Sequence, residues 1–212
     1  MLNLKRGFFI TFEGVEGSGK TTQAQNLINW LEEKKIPHLF IREPGGTDVG
    51  ELIRKILLNP VHNIHPKCEV LLFLAARSQV VYEKILPAFL QKKVVIADRF
   101  SDSTFAYQVC ARNLPGRLIS VFNRFASAGL KPDLTFLVDI DTRKRHERGK
   151  STDRMEKETE VYHQTVRKGY LRLAHRAKKR IKILDGEKPI DVLEKEVISH
   201  VQGFLNRKGY RI

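Results

Sequence analysis

Five short segments of the chain, residues 7–13, 38–42, 94–98, 134–139 and 181–185, are apolar almost without interruption. An alternating pattern would mark strands with one wet face. A continuous one marks parallel strands covered on both faces. Helical periodicity fills the intervals. Residues 22–35 place Ala24, Leu27, Ile28 and Leu31 on one face and stop before Pro37. A second helix, capped by Thr47 or Asp48, carries Leu52, Ile53, Ile56 and Leu57 and ends before Pro60. The last begins near Pro189 and repeats Ile190, Leu193, Val197, Val201 and Phe204, which reads as plain core. The pattern predicts an α/β fold, a five-stranded parallel sheet flanked by helices with right-handed crossovers, as one domain over residues 1–212.

One helical stretch does not fit a simple two-sided arrangement. Residues 66–90 read as a long helix, bent near Pro87, and Val70–Ala76 is apolar nearly all the way round. Such a helix needs cover on two sides. The expectation is that the sheet supplies one cover and a second copy of the chain the other.

Ligands of parallel α/β sheets gather beyond the carboxyl ends of the strands. The first such end opens into Gly14, Val15, Glu16, Gly17, Ser18, Gly19, Lys20 and Thr21, the spacing G-x-x-x-x-G-K-T. Glycines let backbone N–H groups turn inward against an anion, Lys20 reaches the β- and γ-phosphates, and the Thr21 hydroxyl suits Mg²⁺. Strand before and helix after complete an anion site from unpaired amides and the helix dipole. The segment predicts binding of a nucleoside triphosphate such as ATP with Mg²⁺.

The other strand ends extend the picture. Strand two ends at Arg42-Glu43 before a Pro-Gly-Gly turn, which makes Glu43 a substrate-binding candidate. Strand three ends at Asp98-Arg99: Asp98 is placed as the second Mg²⁺-associated carboxylate, and Arg99 to grip a phosphate bidentately. Ser103, Thr104, Tyr107 and Gln108 follow on a helix with groups suited to a base or sugar. Strand four leads into an arginine-rich stretch, about residues 142–156, containing Arg148 and Arg154. Its position suggests a lid that excludes water from phosphoryl transfer.

Charge leaves one competing class. The net charge is +14, and residues 143–182 carry 15 Lys or Arg against 5 Asp or Glu. That segment holds only Tyr162 and Tyr170 as aromatics, too few for a stacking surface on nucleic acid. Two polyphosphate ligands account for the excess equally well, so no nucleic-acid partner is expected. No apolar run approaches the 18 residues of a membrane span. Two cysteines, Cys68 and Cys110, form no disulfide framework, and cytoplasmic residence is the expectation.

Together F-E-G-V-E-G-S-G-K-T-T-Q, R-E-P-G-G-T, D-R-F-S-D-S-T-F-A-Y-Q and D-R-M-E resemble the thymidylate kinase family over residues 8–204. The resemblance implies a phosphate-loop kinase architecture with a short arginine-rich lid, ATP and dTMP as substrates, and a homodimer. It places Glu16 at the sugar 3′-hydroxyl, Phe73 on thymine, Arg77 and Thr104 on the base edge, Arg99 on the monophosphate, Tyr107 beneath the deoxyribose, and Gln108 against the nucleotide. Some members carry an arginine that reaches ATP at the position of Gly17. Its absence here assigns that charge to the lid, through Arg148 or Arg154. The family often continues A-Y-Q with glycines; Val109-Cys110-Ala111 here implies a stiffer connection.

Overall fold

The computed structural model describes residues 7–144 and 153–207. Five strands, β1 (Phe8–Glu13), β2 (His38–Arg42), β3 (Val94–Asp98), β4 (Leu134–Asp139) and β5 (Ile181–Asp185), form one parallel sheet in the order β2-β3-β1-β4-β5. The expected ranges agree to within a residue. Full burial on both faces does not hold at the margins, where Phe40 of β2 and Ile183 of β5 are exposed. Both strands are sheet edges, so flanking helices cover them on fewer sides. The register aligns Phe12, Asp98 and Arg42, bringing three strand ends to one rim.

Side chains of β1 alternate between two cores. Phe8, Ile10 and Phe12 join Leu27 and Leu31 of α1 (Lys20–Glu33) and Val197 and Val201 of α8 (Ile190–Arg207). Phe9 points the other way, into Val80, Val81, Ile85 and Phe100. Helix α1 starts two residues earlier than its apolar spacing predicts, because Gly19 occupies the N-cap at φ +92°. In α8 the expected core stripe loses Ile190, which is exposed, while Phe204 packs its ring 4.3 Å from that of Phe8.

Helix α2 (Asp48–Leu58) is capped by Thr47, whose hydroxyl accepts from the Gly50 amide at 3.0 Å. The long helix of the sequence reading is three pieces: α3 (Pro66–Val80), a π-helical turn (Val81–Ile85) and α4 (Leu86–Leu90). Pro87 has no N–H for a normal helical bond, and the ladder widens just ahead of it, with Leu86 N–H donating to Val81 O. The inner face of α3 also differs from expectation. Val70 and Leu74 pack on Ile119 and Ala126 of α6 (Gly116–Ala126), not on the sheet.

After β3 the chain runs through α5 (Ser101–Thr104) into a second π-helical segment, Phe105–Ala111. Val109-Cys110-Ala111 thus continue a helix where a glycine-bearing loop could have run. Helix α7 (Glu160–Arg176) approaches this segment closely at Gly169, where a Cβ would lie 3.1 Å from Ala106 Cα and Cys110 Sγ. Tyr107, Tyr162, Val166 and Tyr170 fill that contact, and Tyr107 also lines a cleft beside the sheet rim. No described helix is long and apolar enough to cross a membrane.

Candidate active site

The loop between β1 and α1 wraps the rim of the sheet. Gly14 has φ +143°, and a Cβ there would stand 2.4 Å from Val138 O of β4. Only glycine lets the loop lie this close to the sheet. Within the loop Lys20 donates to Val15 O at 2.7 Å. Ser18 Oγ is buried with no hydrogen-bond partner among the described residues, and such an orphaned donor is suited to an anionic ligand. Burial, followed by Arg99, pushes the Lys20 ammonium down to about 8, against the pull of Asp98, Glu16 and Glu13.

Thr21 and Asp98 meet across the α1 N-terminus, Thr21 Oγ1 donating to Asp98 Oδ2 at 2.5 Å. One hydroxyl and one carboxylate oxygen this close suit Mg²⁺, which takes one or two protein oxygens and completes its shell with water and phosphate. No cluster of three or more His, Cys, Asp or Glu able to hold a metal occurs among the described residues. The pair fits a magnesium ion that arrives with a polyphosphate.

Beyond the loop opens a cleft of ≈ 350 Å³, lined by Glu16, Lys20, Thr21, Glu43, Phe73, Arg77, Asp98, Arg99, Thr104, Tyr107 and Gln108. Its volume falls in the range of small-molecule sites, about 300–1,000 Å³. Every substrate-side residue expected from the sequence lines it.

The charged groups are cross-braced. Arg99 Nη2 donates to Glu16 Oε1 at 2.6 Å, and Tyr107 Oη to Glu16 Oε2 at 2.7 Å. Burial pushes the Glu16 carboxyl up, but Arg99, Lys20 and the Tyr107 hydroxyl outweigh it and hold it at about 2. Burial pulls Arg99 down, but Glu16, then Tyr107, Tyr170 and Asp98, hold it well above its ordinary value. Deeper in, Arg77 Nε and Nη2 both donate to Glu43 Oε2, at 2.8 and 2.6 Å. Arg77 Nη1 reaches Thr104 Oγ1 at 2.6 Å and Asn123 Oδ1 at 2.5 Å. Burial raises the Glu43 carboxyl even with Arg77 beside it, and its Oε1 is buried without a described partner. Phe73 is half-buried and faces the cleft, outside the apolar clusters.

Arg154 departs from its expected place. Its Nη2 lies 2.7 Å from Glu69 Oε2 and its Nε donates to Leu57 O at 2.8 Å. Asp153, Met155 and Glu156 line the cleft, but Arg154 does not. The reason is electrostatic: Glu69 is fully buried and takes charge from Arg112 as well as Arg154, with Gln108 as a further donor. A buried carboxylate without such partners would be costly. Arg148, the other candidate, lies outside the described residues.

Sequence reasoning missed Glu69 and Asn123, which fix Gln108 and Arg77, and Arg54, which lines the cleft and donates to Pro44 O at 2.8 Å. It also passed over Tyr170, whose hydroxyl accepts from Arg99 at 3.0 Å. The one available signal was Glu69, a carboxylate amid the apolar residues of α3.

Comparison with known proteins gives one consistent result. The family described as thymidylate kinase matches residues 12–197. The thymidylate kinase of Carboxydothermus hydrogenoformans is 47% identical over 203 residues, 94% of this chain and 97% of that one. That of Kosmotoga olearia is 41% identical, covering 95% and 99%. The crystal structure of thymidylate kinase from Ehrlichia chaffeensis superposes with a TM-score of 0.76 at 34% identity, over 92% of this chain and 98% of that one.

Proposed function

This chain belongs to the thymidylate kinase family and so phosphorylates dTMP, and we propose that it does so in the cleft that joins the phosphate loop to Arg99. The γ-phosphoryl group of ATP passes in line to a phosphate oxygen of dTMP, giving ADP and dTDP. The observation that carries the residue assignment is the position of Glu16. It belongs to the ATP loop, yet its two carboxylate oxygens are bonded to Arg99 and Tyr107 on the acceptor side.

Phosphoryl transfer needs alignment and charge neutralisation more than covalent help. Loop amides and Lys20 hold the donor phosphates. Thr21 and Asp98 would hold Mg²⁺, which when bound neutralises β- and γ-phosphate charge. Phe73 offers its ring to the thymine face, Arg77 and Thr104 its edge, and Gln108 lies beside them. Arg99 aligns the acceptor phosphate, and Tyr107 lies under the sugar with Glu16 at the 3′-hydroxyl. No general base is required, because a phosphate monoester is ionised near neutral pH.

Assembly and location follow the same reading. Leu52 and Ile56 of α2, Leu71 of α3, and Leu118, Val121 and Phe125 of α6 are exposed apolar residues on helices that pack together. We read this surface as the face of a homodimer. Both cysteines are free thiols, in keeping with the reducing cytoplasm.

ADP release measured with dTMP, dUMP, UMP and AMP as acceptors, with Mg²⁺ and with chelator, tests the proposal. Turnover should depend on dTMP and on Mg²⁺. A faster reaction with another acceptor, or hydrolysis driven by added DNA without acceptor, would overturn it.

A further inference from the structure

Glu13 ends β1 one residue before the phosphate loop, and no step above uses it. Its carboxylate is buried and surrounded by donors. Oε1 accepts from the Phe100 amide at 2.8 Å. Oε2 accepts from Ser103 Oγ at 2.6 Å and from Tyr170 Oη at 3.0 Å. All three lead to Arg99. Phe100 is its neighbour in the chain. Ser103 and Tyr170 each have their oxygen within reach of Arg99 Nη1, at 3.3 and 3.0 Å.

The backbone of Arg99 needs such support. It has φ +73°, in the left-handed region that a side chain with a Cβ rarely occupies. Two bonds bracket it: its own amide donates to Phe12 O at 2.9 Å, and the next amide is the one Glu13 receives. Strained positions of this kind persist only where their surroundings over-determine them.

Hydrogen direction supplies the second argument. Above the pH of about 7 to which burial raises it, the Glu13 carboxylate is ionised and can only accept. Ser103 Oγ and Tyr170 Oη also lie 2.7 Å from each other, so their two hydrogens are taken up between that bond and Glu13, and the Arg99 guanidinium meets lone pairs. Without that acceptor, either hydroxyl could point its hydrogen at Arg99 Nη1 and repel it.

We propose that Glu13 is a positioning residue for the acceptor phosphate: through Phe100, Ser103 and Tyr170 it fixes both the backbone and the guanidinium of Arg99 in the phosphate-gripping pose. The inference rests on the reading above that Arg99 holds the dTMP phosphate. It adds a specificity consequence. Loss of Glu13 should weaken recognition of the phosphate and leave recognition of the nucleoside intact.

The test compares dTMP with thymidine, the same ligand without its phosphate, by calorimetric titration of the intact chain. The unmodified protein should prefer dTMP. Glu13→Gln should shrink that preference by about tenfold or more, as expected for misplaced charge-assisted bonds, with thymidine affinity within about threefold of the original. Turnover should show the same split, KM for dTMP rising more than KM for ATP. Arg99→Ala serves as the reference. If it leaves the preference intact, Arg99 does not grip the phosphate and the underlying reading fails. If it collapses the preference and Glu13→Gln does not, the positioning role is wrong. Equal weakening of dTMP and thymidine by Glu13→Gln would reduce Glu13 to general structure and also overturn it. Should Glu13→Gln not fold, the double variant Ser103→Ala, Tyr170→Phe removes the relay alone. It should shrink the preference likewise, and an unchanged preference there counts against the proposal.

Discussion

Tyr107 donates its phenolic hydrogen to Glu16 at 2.7 Å, so a residue of the acceptor wall is bonded to a residue of the donor loop. On the assignment proposed above, this couples the two nucleotide sites through one carboxylate, which Arg99 shares from its other oxygen. A change on either side should be felt on the other.

Sugar selection is the first consequence. With its ring under the sugar, Tyr107 would meet a ribose 2′-hydroxyl with an aromatic face and leave it desolvated, at a cost of about 1–3 kcal/mol. Ribo-TMP should be used about tenfold to a few hundredfold less efficiently than dTMP in kcat/KM. Tyr107→Phe should keep most of this ratio, since the ring is the obstruction, while losing overall efficiency because Glu16 gives up a donor. Tyr107→Ala should lose the ratio. Steady-state kinetics on both nucleotides decides, and equal use by the unmodified chain would remove Tyr107 from beneath the sugar.

The two candidate lid arginines should separate cleanly. Arg154 serves the buried Glu69 carboxylate, so Arg154→Ala should cost stability, by about 1–3 kcal/mol since Arg112 remains as partner. Its effect on kcat should be modest. Arg148→Ala should leave unfolding unchanged and lower kcat by about 10³, in the arginine-finger range. Urea unfolding and turnover on both variants test this, and the reverse pattern would return the phosphoryl-contacting role to Arg154.

Stability should carry a pH signature from β1. Burial first, then Asp102, pushes the Glu13 carboxyl from 4.5 up to about 7, against bonds from Ser103 and Phe100 and the charge of Arg99. The cost of holding its charge in the fold is absent below pH 4.5, grows as the pH rises, and is complete above 7. Glu16 has the opposite sign: held at about 2, it stabilises the fold above pH 4.5 and loses that contribution as pH falls through 2. The unfolding free energy of the unmodified chain minus that of Glu13→Gln should therefore fall between pH 4.5 and 7, by up to about 1.4 kcal/mol per pH unit. A difference flat across that interval would contradict the raised carboxyl.

The exposed apolar stripes of α2, α3 and α6 give an assembly prediction. Sedimentation at micromolar concentration should report twice the 24.4 kDa chain mass. Phe125, 83% exposed, should lie in the contact, and Leu71→Glu with Phe125→Glu should yield a folded monomer. A monomeric unmodified chain would rule out the dimer.

The strands were legible because each is a continuous apolar run, a pattern that survives without knowledge of its neighbours. The phosphate loop was legible because its spacing is itself the mechanism. What escaped was pairing at long range. Nothing local to Arg154 says that a carboxylate 85 residues earlier, Glu69, will claim its guanidinium. Asn123 sits on an ordinary amphipathic helix until Arg77 is brought to it. The π-helical turns were hidden for another reason. They change the hydrogen-bond ladder by one residue and leave hydrophobic spacing nearly intact.

That extra residue in Phe105–Ala111 also sets the direction in which Tyr107 and Gln108 face. A helix turns about 100° per residue. Removing Val109 would let the segment relax to an ordinary α-helix, with apolar neighbours still available to fill the contact with Gly169. Tyr107 and Gln108 would swing round the helix axis, relative to everything after them, out of the cleft. The shortened chain should turn over almost no substrate and melt below the parent, because Val109 packs on the cluster between α3 and α6. A change of one residue in length there would act on the chemistry through the direction of Tyr107 and Gln108, without altering either side chain.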